Sequence, residues 1–305
     1  MIIRKREHWF RMLFVWHGSV LPQLLPRLLL LFALSIGIAY LHGAVFSFKI
    51  PLNPAPFTLF GIALALFLGF RNNASYERFW EGRKLWGSLL NDSRSLARQA
   101  LTMTGYLPSD QHVNHFIQLL ISFTYALKHQ LRGTDANPDL KQRLPLDIFS
   151  SISIAQFKPI MLLKAMGNWV QSAKTEQKVD SILQTAFDIN LNKLSDIVGG
   201  CERIASTPIP YSYRVLLHRT VYLYCFLLPF GLVDTLGWLM PFIVVFIAYT
   251  FVAFEAIADE IEEPFGMEAN DLALNAMCEM IEVTLMEMAG RPIPEPSIKS
   301  DRIIH

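Results

Sequence analysis

The stretch that decides the fold is Ile50–Phe70, IPLNPAPFTLFGIALALFLGF, followed directly by RNNASYERFWEGR at residues 71–83. The first part is 21 residues without a formal charge, and about 20 residues of helix cross the hydrocarbon layer of a bilayer. The second part is mixed in charge and rich in aromatic residues, with no turn signal between Phe70 and Ser75. Good helix formers then continue to Leu101. This pattern predicts a membrane helix that starts near Phe57 and projects well beyond the bilayer into water.

Working outward, three more segments have membrane character. Leu28–Phe48 carries no formal charge, and Thr220–Val233 and Thr235–Phe254 are separated only by Asp234. The segment before Asp234 reaches spanning length if its helix begins near Tyr211, given a rise of about 1.5 Å per residue. Four spans in two pairs are expected. Phe116–Leu127 is also apolar but short, which fits a buried helix of a water-soluble region better than a span. A hydrophobic fraction of 52% suits a chain that is part membrane and part soluble.

Charge placement orients the spans. Arg4, Lys5, Arg6 and Arg11 precede the first; Arg71, Arg78, Arg83 and Lys84 follow the second; Arg214 and Arg219 open the third. The connections on the opposite side hold Lys49 and no arginine. Positive charge favours the cytoplasmic side, so both termini and the middle of the chain are expected there, in a bacterial inner membrane. A net charge of +1 excludes nucleic-acid binding by charge. Cys201, Cys225 and Cys278 lack paired spacing, which argues against a disulfide framework or a zinc module. The polar N-terminus leads through Pro22 and Pro26 to a full-length span, not a cleavable signal. Interleaved aromatic and basic residues at 8–16 predict an interfacial amphipathic segment.

The soluble portion reads as almost purely helical: 109–132, a loop at 133–140, then Ile152–Val170 and Lys178–Ile204. Pro208 and Pro210 mark the return to the membrane. Leu85, Leu89, Leu96 and Leu101 form an apolar face on the long helix. On its membrane part, Gly61, Ala65 and Gly69 make a small-residue strip of the kind that lets helices approach closely in lipid. Ile62, Leu66 and Phe70 make an adjacent bulky strip. That strip fits a lipid- or protein-facing surface. With several copies around an axis it fits equally a stack of apolar rings that gates by dewetting. His112 and His115 at i, i+3 read as a solvated pair rather than metal ligands.

The residues GFRNNASYERFWEGR (69–83), PIPYSY (208–213) and EIEEPFG (260–266) together resemble the bestrophin family, specifically its bacterial members. The resemblance runs from HWF at 8–10 to about residue 290. It implies an all-α, four-span membrane protein with a helical cytosolic domain, forming a homopentameric ion channel. The family's hydrophobic neck falls on Ile62, Leu66 and Phe70, with a leucine where the family usually has Ile or Phe. Its cytosolic aperture falls on Ile182. The implied layout is an interfacial segment 1–27, spans and the start of a pore helix at 28–75, a cytosolic domain 76–207, two spans at 208–258 and a cytosolic tail 259–305.

Arg71, Arg78, Glu77 and Glu81 are candidate vestibule charges; interhelix salt bridges are the more ordinary role for such groups. The spans offer no acid for a proton relay and no polar constellation for catalysis, so neither a pump nor an enzyme is expected. The family's acidic calcium clasp is represented only by Glu268, Asn270 and Asp271. Calcium favours six or more oxygen ligands, so weak or absent calcium regulation is expected. No cofactor is called for. The expected partners are other copies of the chain, membrane lipid and small monovalent ions of either sign. A non-conducting membrane scaffold is the alternative.

Overall fold

The computed structural model describes residues 8–16, 18–41, 44–45, 48–49 and 52–293. It is almost entirely helical and divides into two compact units. One is built from the chain up to Phe79 together with Pro208–Glu263; the other from Trp80–Thr207 with residues from Pro264 on.

In the first unit, α1 (Trp9–Met12) is a single turn, capped by the His8 ring accepting from the Phe10 N–H. Its apolar residues Trp9, Met12 and their neighbours Leu13 and Phe14 are exposed. Next, α2 (Leu21–Tyr40) starts well ahead of Leu28, the first residue of the charge-free stretch. Pro22 sits in its first turn, where the ring's fixed φ suits a helix start, and the helix accommodates Pro26 one turn later. Residues 42–43 and 46–47 of the expected first span lie outside the described residues, as do 1–7 and the tail from 294. A minimal hairpin follows, β1 (Ala44–Val45) antiparallel to β2 (Phe48–Lys49), with Ala44 opposite Lys49. The sequence gives no alternation that signals it.

The helix α3 (Pro54–Thr102) is continuous over 49 residues, roughly 74 Å at 1.5 Å per residue. It starts within a turn of the expected position and runs through both units. The later pair, α9 (Tyr211–Leu236) and α10 (Met240–Glu262), is joined by a 3-10 turn at Gly237–Leu239. Gly237 has a φ of 52° there, a left-handed conformation that favours glycine. Tyr224 meets Phe251, and His218 meets Glu255. These contacts step back along α9 as they advance along α10, so the two helices form an antiparallel hairpin. Leu24, Leu28, Leu31 and Ile38 of α2 share one core with Leu64 and Leu68 of α3, Val221 and Leu228 of α9, and Val244 and Val252 of α10. By length and composition, Leu21–Tyr40, Pro54–Thr102 and the Tyr211–Glu262 stretch are long and apolar enough to cross a membrane.

The second unit is arranged about α4 (Gln111–Arg132), capped by Asp110 at its start and by left-handed Gly133 at its end. Phe116, Ile117, Leu119–Ile121 and Leu127 are buried, so the short apolar run is a core helix, as expected from its length. It packs against α7 (Lys158–Thr175) and α11 (Leu274–Met288), with α8 (Ser181–Ser206) beside α7. Two boundaries differ from expectation. The segment 133–140 is not all loop, because Asn137–Lys141 forms α5 with Pro138 in its first turn. The helix expected at Ile152–Val170 is two, α6 (Leu146–Ser153) and α7, since Pro159 in the first turn of α7 begins a new helix. Of the expected apolar face on the distal half of α3, Leu89, Leu96 and Leu101 are buried and Leu85 partly so, and Trp86 is buried with them. Gly200 of α8 touches Leu85 so closely that an added Cβ would lie 2.9 Å from its side chain.

Candidate functional site

Helix α3 presents two faces of different character. On its membrane part, Leu64, Leu68, Arg71 and Ser75 are buried. At the same three-to-four-residue spacing, but turned away, Ile62, Leu66 and Phe70 are 58%, 58% and 64% exposed. Asn73 and Glu77 continue that exposed line within the unit. The bulky strip therefore has no full cover within its own chain. The line is apolar for two turns and polar beyond Phe70.

The small-residue strip divides. Gly61 faces Tyr224, whose hydroxyl would lie 2.9 Å from an added Cβ and which donates to the Phe57 carbonyl at 3.3 Å. Ala65 is exposed, and nothing lies within 4 Å of a Cβ built at Gly69. Only Gly61 serves close packing inside the chain.

The four candidate vestibule charges are placed differently from one another. Arg71 is buried, and its Nη2 donates to the Asp259 carboxylate and lies 3.5 Å from Glu262 Oε2. Arg78 is half-buried and donates through Nε to the Glu262 carbonyl at 3.0 Å. Glu81, in the second unit, is bound by Arg203 of α8. Glu77 is exposed on the same line as the bulky strip.

The groups that hold the two arginines were the less visible part of the sequence. Glu255, Asp259 and Glu262 lie at i, i+4 and i+7 on α10, which places them on one face. Glu255, just past the apolar run, is buried and paired with His218 Nδ1 at 2.8 Å. Asp259 also forms an ion pair with Arg214, whose Nε lies 3.2 Å away. Glu262 accepts the Ile209 N–H at 3.1 Å, the residue between Pro208 and Pro210. Asn72 adds two hydrogen bonds, to the Leu68 and Phe254 carbonyls at 2.9 and 3.1 Å. The i, i+4, i+7 spacing was the available signal; its partners on α3 and α9 are far away in sequence.

In the second unit, Ile182 is the second residue of α8 and is 80% exposed. Asp180 caps this helix by accepting the Leu183 N–H at 2.7 Å, which fixes the backbone that carries Ile182. Of the calcium-clasp remnant, Asp271 is buried and closes a turn on itself. Its Oδ2 accepts the Glu268 N–H at 2.7 Å, and its own N–H donates to the Glu268 carbonyl at 3.2 Å. Among the described residues, no three His, Cys, Asp or Glu side chains converge as metal ligands. His112 stacks on Tyr106, with centroids 5.1 Å apart. Burial lowers the pKa of His115.

The same unit is braced by a polar network on α4, α5 and α11. Arg143 grips Glu282 with Nε and Nη2 at 3.0 and 2.9 Å, and Tyr125 donates to the same carboxylate at 2.6 Å. Asp139 takes His129 Nε2 at 2.8 Å and Lys128 Nζ at 3.3 Å. The hydrogen bond with His129, joined by Lys128 and Arg143 and opposed by burial, holds the Asp139 carboxyl down at about 2. Burial pushes the Cys201 and Cys278 thiols up to about 12, so both are inert.

The family described as bacterial/fungal bestrophin protein matches residues 1–287. A voltage-dependent anion channel-forming protein of Ralstonia nicotianae is 51% identical over 292 residues, covering 96% of this chain and 95% of that one. A protein of the same description from Escherichia coli K12 is 42% identical over 302 residues, covering 99% and 98%. Among solved structures, a bacterial bestrophin homologue from Klebsiella pneumoniae superposes with a TM-score of 0.81 at 42% identity. It covers 88% of this chain and 99% of that one.

Proposed function

The chain belongs to the bacterial/fungal bestrophin family, and from that premise we propose that this integral membrane protein is a channel for small monovalent ions, formed by five copies around one axis. It is not an enzyme. The observation that carries the reading is the exposed line on α3. Ile62, Leu66 and Phe70 are open to the outside of their own chain, while the opposite face of the same helix is filled. Copies that turn this line toward a common axis form three stacked apolar rings. Such a neck gives an ion nothing to bind, so width and wetting govern passage. The polar line beyond Phe70 is the water-filled continuation, and Ile182 at the exposed start of α8 forms the second narrowing.

The antiparallel α9–α10 hairpin supports two crossings from the Tyr211–Glu262 stretch, which with α2 and α3 makes four. The arginines at the inner ends support a cytoplasmic position for both termini and the second unit, in a bacterial inner membrane. The named relatives point to anions. Glu77, the vestibule acid on the open line, acts in the opposite sense, because a ring of carboxylates attracts cations.

Purified protein in planar bilayers under a salt gradient tests this. Discrete currents from a particle of five copies by light scattering are expected, with a reversal potential that gives the sign of the ion. Monomeric particles, and vesicles tight to both sodium and chloride, would overturn the reading.

A further inference from the structure

Arg71 follows Phe70 directly, and one residue along a helix is a rotation of about 100°. When Phe70 points along the open line, Arg71 points into the unit. There it meets Asp259 and Glu262 of α10, with Arg214 of α9 on the same Asp259 carboxylate. The next residue, Asn72, is tied to the Phe254 carbonyl of α10 at 3.1 Å. Three groups of α10, spaced over two turns, therefore seize two consecutive residues of α3 at the point where the apolar strip ends.

Elsewhere the membrane part of α3 is held by apolar contacts such as Leu64 and Leu68 and by single neutral hydrogen bonds from Tyr224 to the Phe57 carbonyl and from Tyr213 to the Phe67 carbonyl, which tolerate small rotations. A buried guanidinium hydrogen-bonded to one carboxylate and 3.5 Å from a second is held more firmly, because a charge-assisted hydrogen bond fixes direction as well as distance. Only Nη2 of this buried side chain is engaged: Nε and Nη1 have no hydrogen-bond partner in the structure. The latch is thus directional without being saturated.

We propose that Arg71 is the positioning residue of the neck: its latch onto Asp259 and Glu262 sets the rotation of α3 and thereby aims Phe70 and Leu66 at the axis. This gives a buried arginine of the sequence GFR a task distinct from a vestibule charge. The inference rests on the channel reading, since it is the neck that is aimed.

The test compares Arg71→Met, Arg71→Lys, Asp259→Asn and the double variant Arg71→Met/Asp259→Asn in the full chain. Two readouts are taken. One is current in planar bilayers with its reversal potential; the other is the copy-to-copy distance between nitroxide labels at Ala65→Cys, an exposed site beside the strip. Expected are broadened distances and currents raised about fivefold in Arg71→Met and Asp259→Asn, the low end of typical coupling effects. The reversal potential should stay fixed, Arg71→Lys should return toward the parent, and the double variant should be no worse than either single one. Unchanged distances in both single variants would overturn the proposal. So would a shift of reversal potential without a change in distance, which would make Arg71 a vestibule charge. If Arg71→Met fails to assemble, Asp259→Asn and Arg71→Lys carry the comparison. A parent protein that passes no ion would refute the channel reading, while the label distances would still decide the latch.

Discussion

Leu66 and Leu68 are two residues apart on one helix and chemically identical, yet they sit in opposite surroundings. Leu68 is 1% exposed in the core shared by α2, α3, α9 and α10; Leu66 is 58% exposed. Truncating a fully buried leucine to alanine costs about 2–5 kcal/mol through lost contacts and the cavity left behind. Leu68→Ala should lose an amount in that range. Leu66 is covered over roughly two-fifths of its surface by its own chain, so Leu66→Ala should cost about 1–2 kcal/mol on the same scale. Conduction should order the other way. Five leucines replaced by five methyl groups widen the middle ring and let it hydrate, so Leu66→Ala should pass more current than the parent. Leu68→Ala should pass less per milligram, because less protein is folded. Thermal unfolding in detergent followed by tryptophan fluorescence gives the first ordering, and ion flux from loaded vesicles gives the second. If Leu66→Ala were as destabilised as Leu68→Ala, with no gain in flux, the strip would be a packing surface and the neck reading would fail.

Glu77→Gln should move the reversal potential toward anion preference, with the fold intact by the same unfolding assay; no movement would remove Glu77 from the permeation path. Gly231→Ala places a Cβ 2.6 Å from the Phe57 ring and should cost about 1–3 kcal/mol by overpacking, whereas Gly69→Ala meets nothing within its own chain. A loss of five-copy particles in Gly69→Ala, with monomer stability kept, would place that glycine between copies. The Asp139 carboxyl is held at about 2, below its ordinary 3.8. Discounted for solvent screening, it contributes about 1 kcal/mol that is complete above about pH 5 and lost as pH falls toward 2. Asp139→Asn should flatten the acid limb of the unfolding curve; an unchanged limb would refute the assignment. Because Asp271 is spent on its own turn with Glu268, currents with calcium or with chelator should be alike in the parent. A calcium-dependent current that disappears in Asp271→Ala would contradict this.

Local rules read the long helix well. No residue between Pro54 and Thr102 is a proline past the first turn, so nothing interrupts the hydrogen-bond ladder, and the change from apolar to polar at Arg71 has no effect on helicity. The short run at 116–127 was legible from length alone. What local rules misplace are helix starts around proline: Pro22 opens α2 ahead of the charge-free stretch, and Pro159 opens α7 inside what reads as one helix. Proline ends one helix and begins another with the same residue, and composition does not say which. The exposed strip of Ile62, Leu66 and Phe70 was legible because spacing is local. A salt-bridge role for Arg71 was also expected, but its partners were not legible, since Asp259 lies 188 residues away.

The placement of these charges bears on the sign of the permeant ion. Counted along the sequence, residues 71–83 hold Arg71, Arg78 and Arg83 against Glu77 and Glu81, a mixed balance compatible with either sign. Folding withdraws Arg71 into a carboxylate pair, turns Arg78 onto a backbone carbonyl and sets Arg203 against Glu81. An arginine buried beside two carboxylates contributes little field to a vestibule, because its charge is cancelled within a few ångströms. Glu77 stays exposed, as do Arg83 and Lys84. On the channel reading proposed above, the field met by an ion past Phe70 follows from which side of α3 each charge occupies, and a reversal potential that follows Glu77 and ignores Arg71 is the measurable form of that asymmetry.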